Sequence, residues 1–144
     1  MNNINWQKEV DEALVAADKT LIHLNAALKE LESAKNWGIF DLLGGGMFTS
    51  IIKRGHLNDV ETELTLAREK AEILIDELVD LGRTLDIDLE IDDFLNFTDL
   101  FLDNIFSDLA VQSKIDKTKK NIQHAIIEIE NIKELLFEAK KLKR

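Results

Sequence analysis

The sequence predicts an all-α fold, an antiparallel bundle of three long helices plus one or two short helices. Three observations predict it. The chain has no proline, so nothing forces a kink or forbids a long helix. Its apolar residues recur in three stretches at alternating steps of three and four, the pitch of one helical face and not of strand alternation. Between those stretches lie two connectors whose composition departs from that of the rods they join.

The middle rod shows the spacing most clearly. Leu57, Val60, Leu64, Ala67, Ala71, Leu74, Leu78, Leu81 and Leu85 keep the three-four step without a slip. The C-terminal rod repeats it through Ile115, Ile122, Ala125, Ile129, Ile132, Leu136 and Ala139, with Thr118 as its polar interruption. The N-terminal rod runs through Trp6, Val10, Ala13, Ala17, Leu21, Leu24, Leu28 and Leu31. Long helices are expected at about 3–35, 56–85 and 107–143, and the apolar stripe of each spans roughly 40 Å at 1.5 Å per residue. Moderate connections then favour antiparallel packing. Leu14, Ile22, Leu66, Ile73, Val79, Ile126, Ile127 and Leu135 lie beside the stripes. They widen each apolar face, which suits a globular bundle rather than the narrow seam of a two-stranded coiled coil. Residues 1–144 read as a single domain, long enough to bury about 70% of its unfolded surface.

Composition excludes several classes. The formal charge is −10, which argues against nucleic acid and anionic membranes as partners, since both attract cationic surfaces. There is no cysteine, hence no disulfide, thiolate metal site or cysteine nucleophile. No apolar run approaches the ~18 residues of a membrane span. The start, "MNNINWQKEVDEA", lacks the basic and apolar regions of a secretory signal, so the cytoplasm is the expected location. Acids crowd the stretch from Asp76 to Asp108 against a single base, Arg83. Lys133, Lys140, Lys141, Lys143 and Arg144 gather at the C-terminus instead, where cations complement a helix dipole.

The two connectors, about 36–55 and 86–106, hold the candidate sites. The first places Gly44, Gly45 and Gly46 before Thr49, Ser50, Lys53 and Arg54. A phosphate loop of the Walker type would need Gly-Lys-Ser/Thr at its end, but Met47 and Phe48 follow the glycines. A dinucleotide fingerprint would need a preceding parallel strand. What survives is a looser site for a small anionic or phosphorylated ligand, built from helix-start N–H groups, two hydroxyls and two cations. A plain turn with an N-cap uses the same residues, and backbone freedom at the glycines is the expected role.

Other chemistry fails on spacing. An EF-hand begun at Asp86 would put Ile91 where glycine is required and Phe97 where glutamate is required. The residues three before His23, His56 and His124 are Thr20, Lys53 and Asn121, so the Glu-x-x-His pattern of di-iron bundles is missing. His124 and Glu128 share a helix face at i, i+4 and read as a surface contact. No nucleophile elbow or triad spacing is present. No catalytic residue, metal or cofactor is expected, and the protein is read as a non-enzyme.

Both connectors are also rich in apolar residues. Trp37, Phe40, Met47 and Phe48 crowd the first, and Phe94, Phe97 and Phe101 the second. Such patches mark contact surfaces when they are not folded inward. The segments "WGIFDLLGGGMFTSIIK" and "DLFLDNIFSDLAVQSKID" resemble a group of small uncharacterised bacterial all-helical proteins. That group pairs a Trp/Asp/Gly-rich turn with a Phe/Asp-rich second half, and the likeness covers about 37–59 and 99–116. The resemblance implies a compact helical bundle and carries no catalytic residues. The expected function is a non-catalytic interaction or assembly module that binds a protein partner or a second copy.

Overall fold

The computed structural model describes residues 3–42, 46–85, 96, 103, 104 and 115–142, with side chains over 7–32, 59–82 and 116–141 and at Asn96, Asp103 and Asn104. Among the described residues three long helices are present: α1 (Asn3–Leu42), α2 (Gly46–Leu85) and α3 (Ile115–Leu142). Asn96, Asp103 and Asn104 are helical as well.

The first connector is shorter than expected. Position 35 does not end α1, which continues to Leu42, and α2 opens at Gly46 rather than near 56. Helix propagation explains the correction. Gly38 and Gly55 each cost about 1 kcal/mol inside a helix, which long flanking segments tolerate. Only at Gly44 to Gly46 does that penalty fall on successive residues. The rest of the second connector, and the predicted rod start at 107, lie outside the described residues.

Packing follows the predicted stripes. In α2, Val60, Leu64, Ala67, Ala71, Leu74, Leu78 and Leu81 are all buried. In α3 the same holds for Thr118, Ile122, Ala125, Ile129, Ile132, Leu136 and Ala139. α1 contributes Val10, Ala13, Ala17, Leu21, Leu24 and Leu31, while Leu28 is partly buried against that core. Complete burial of one leucine contributes about 1.5–3 kcal/mol. Ala16 and Ala27 extend the buried face of α1, and such small side chains let neighbouring backbones come close. Both α2 and α3 pack on α1, and among the described residues no close backbone approach joins α2 to α3.

The widened faces are corrected in part. Leu14 is buried and Ile126 packs on the core, but Ile22, Ile73, Ile127 and Leu135 remain 63%, 46%, 58% and 39% exposed. The core takes one stripe of buried side chains from each of these helices. Side chains displaced further round the helix than the three-four stripe therefore reach solvent. Thr20, buried and not foreseen, donates from Oγ1 to the Ala16 carbonyl at 2.8 Å, so its hydroxyl brings its own acceptor into the core.

Three ion pairs join α1 to α3. Lys140 Nζ lies 2.7 Å from Asp11 Oδ1, Lys133 Nζ 2.7 Å from Asp18 Oδ1, and Lys119 Nζ 3.4 Å from Glu32 Oε1. Partner numbers fall on α3 in the same multiples of seven by which they rise on α1. At the remaining step Asn25 donates instead to the Leu21 carbonyl, 2.9 Å away. The hydrogen bond to Asp18 raises the Lys133 pKa, against a smaller desolvation effect. That contact is therefore fully present below the ordinary value of 10.5 and is lost as pH rises through the higher folded value. Exposed pairs of this kind contribute at most about 1 kcal/mol each, so their main effect is to fix which residues face each other. Asp18→Lys alone is expected to lower stability by about 1 kcal/mol, with Lys133→Asp restoring most of it in the double variant. Urea unfolding of the cycle measures this, and a coupling near zero would remove the pair's role in register.

Candidate functional site

Most of the residues singled out from sequence sit where their side chains are not described. Trp37 and Phe40 lie on the final turns of α1. Gly46 opens α2, whose first turns contain Met47, Phe48, Thr49, Ser50, Lys53 and Arg54. Gly44, Gly45, Phe94, Phe97 and Phe101 lie outside the described residues. The predicted His124–Glu128 contact is present, Nε2 to Oε1 at 3.4 Å on the exposed face of α3. Among the described residues, no group of three or more histidines, aspartates or glutamates could hold a metal ion.

A different feature stands out in side-chain detail. A groove of about 640 Å³ runs between α1 and α2. α1 lines it with Gln7, Lys8, Asp11, Glu12, Val15, Ala16 and Lys19, and α2 with Lys70, Ile73 and Glu77. Glu77 feels the charges of Glu12 and Glu9, whereas further along α1 His23 Nδ1 lies 2.8 Å from Glu63 Oε2. Residue numbers thus rise along α1 as they fall along α2. That ordering sets Glu12 level with Glu77 at one end, Val15 and Ala16 level with Ile73 in the middle, and Lys19 level with Lys70 at the other end. Val15 and Ile73 are 50% and 46% exposed.

The acidic end is under-neutralised. Partial burial raises the Glu77 pKa first, and repulsion from Glu12, Asp80, Glu9 and Asp76 raises it further. Glu9 Oε2 is buried there without a hydrogen-bond partner among the described residues. Asp11 does not add to the excess, because Lys140 holds it at 2.7 Å. Lys8 is the cation among the groove-lining residues at this end. The lining offers carboxylates, ammonium groups and aliphatic surface, and so provides ion pairing and apolar burial.

The chain matches no protein-family model, no curated protein and no solved structure. The site is therefore read from its physical chemistry. Sequence reasoning found Ile73 as a face-widening residue but missed the groove. A signal was present: Glu12, Val15 and Lys19 stand at i, i+3, i+7, and Lys70, Ile73 and Glu77 repeat that spacing with charges reversed.

Glu77 supplies a pH test. Between its ordinary value of 4.5 and its higher folded value, the folded state binds more protons than the unfolded state, so stability falls as pH rises through that window. Glu77→Gln is expected to raise the melting temperature of dilute protein above the window, the gain vanishing below the ordinary value. Thermal unfolding across that range measures the effect. A variant no more stable than the parent at neutral pH would contradict it.

Proposed function

We propose that this protein is a non-catalytic interaction or assembly module built on an antiparallel helical bundle, with a short further helix within 86–114. The opposed numbering of the α1–α3 ion pairs supports the antiparallel arrangement. The helical backbone of Asn96, Asp103 and Asn104 supports the further helix. The resemblance of 37–59 and 99–116 supports a bacterial setting, and a cytoplasmic location is part of the same proposal. Among the described residues, no helix is long and apolar enough to cross a membrane.

One observation carries the interaction reading: Val15 and Ile73, each about half exposed, both line a groove with charged ends. Apolar surface framed by polar groups is the usual anatomy of a protein contact. The tips bearing Trp37, Phe40, Met47 and Phe48, and Phe94, Phe97 and Phe101, belong to the same reading as further contact surface, on composition alone. A photo-crosslinking residue at position 15 or 73 is expected to trap discrete protein adducts in cells. The same residue at Glu61, exposed on α2, is expected to trap none. Absence of adducts from both groove positions would count against the groove as a contact.

The second reading is a small anion at the Gly-rich turn, through Gly44, Gly45, Gly46, Thr49, Ser50, Lys53 and Arg54. It is favoured by the start of α2 at Gly46 with no acid in its first turn, because helix-start N–H groups lack intrahelical acceptors. Inorganic phosphate should then raise the melting temperature, and Lys53→Ala with Arg54→Ala should abolish the shift. No shift at any phosphate concentration removes this reading.

A further inference from the structure

The groove between α1 and α2 has a charge pattern that selects its occupant. Beyond Lys8 and the Lys140-paired Asp11, the order along α1 is Glu12, Val15, Lys19; along the neighbouring stretch of α2, read in the same direction, it is Glu77, Ile73, Lys70. Acid lies level with acid, aliphatic with aliphatic and cation with cation. None of these four charged side chains is in an ion pair with another described residue, in contrast to Lys119, Lys133 and Lys140 of α3, which pair with Glu32, Asp18 and the groove-lining Asp11. The strip is negative at one end, apolar in the middle and positive at the other.

A strip of that pattern is complementary to itself. A two-fold axis lying in the contact plane, crossing the groove at the level of Val15 and Ile73, reverses its direction while keeping α1 opposite α1. Glu12 then meets Lys19 of the other copy and Lys70 meets its Glu77, each pair occurring twice. The aliphatic middles cover one another. We propose that the α1–α2 groove is a self-association surface that binds a second copy of this chain across a two-fold axis. The proposal rests on the interaction reading above and specifies its partner.

Two further observations favour this occupant. Burial and neighbouring acids hold the Glu77 pKa up, a cost that a facing lysine from the second copy relieves. Asp103, which contacts Arg68 at 3.8 Å, touches α2 roughly 140° round the helix from Ile73 at 100° per residue. That contact lies on a face of α2 other than the one that lines the groove. The lined stretch of α1 is about 18 Å long and two helices are about 20 Å wide. The contact therefore covers on the order of 400 Å² per copy, half the roughly 800 Å² of a standard stable interface. The dimer is accordingly weak, concentration-dependent and weakened by salt.

Sedimentation velocity on the full chain, from micromolar to millimolar, tests the proposal. The parent should show a monomer–dimer equilibrium. Lys19→Glu with Lys70→Glu turns the cationic end acidic, and Glu12→Lys with Glu77→Lys turns the acidic end basic. Each double variant should associate with itself about tenfold more weakly or worse, since like charges then face each other. An equimolar mixture of the two should recover a heterodimer, which a folding defect could not produce. A parent that stays monomeric throughout, or a dimer indifferent to both charge changes, overturns the proposal. In the monomeric case, a crosslinked adduct at position 15 with a different protein leaves the interaction reading standing. No adduct there removes both.

Discussion

The small side chains on α1 are the constraint on which the other contacts depend. Ala13, Ala16, Ala17 and Ala27 are all buried, and alanine allows a neighbouring backbone closer than leucine does. One helix can therefore support two others. α2 and α3 bring bulk to the same core, through Leu64, Leu74, Leu78 and Leu81 on one side and Ile122, Ile129, Ile132 and Leu136 on the other. These large side chains share one core with the small ones of α1, and protein interiors tolerate few voids. Enlarging an α1 alanine would push one of its neighbours away, with the strain of an overpacked core.

Electrostatics divides the flanks of α1 into two kinds. On the α3 side, Asp11, Asp18 and Glu32 each meet a lysine, and the charges are satisfied within the chain. On the α2 side, only His23 and Glu63 form a cross-helix contact among the bridges between described residues of these two helices. The groove charges next to it are arranged along its length rather than across it. The same helix thus closes one seam and leaves the other facing outward. A protein selected for monomeric stability alone would gain by placing Lys70 opposite Glu12 instead of opposite Lys19.

How much of this was legible in the sequence depends on whether a feature is local. The buried faces of α2 and α3 could be read residue by residue, because a three-four step fixes a helix face without reference to neighbours. Helix ends at the first connector could not. Glycines and aromatics there resemble a long turn, while the decisive fact is that helix propagation tolerates Gly38 and Gly55. The exposure of Ile22, Ile73, Ile127 and Leu135 was also hidden, since periodicity says which side an isoleucine occupies but not whether another helix covers it. Ion pairs such as Lys140–Asp11 need the relative register of two distant helices. The groove falls between these cases: its charge order is written locally on each helix, and its meaning emerges only when the helices are placed side by side.

The central place of α1 also bears on how the chain gets to this arrangement. Closing a loop costs about 1.5RT times the logarithm of its length. The α1–α2 join spans only 43–45, whereas α3 follows α2 across 86–114, roughly ten times as many residues. The difference amounts to about 2 kcal/mol of closure entropy, so the helical hairpin has the advantage of locality. Closure entropy thus favours α1–α2 pairing ahead of the docking of α3, whose contact among the described residues is with α1.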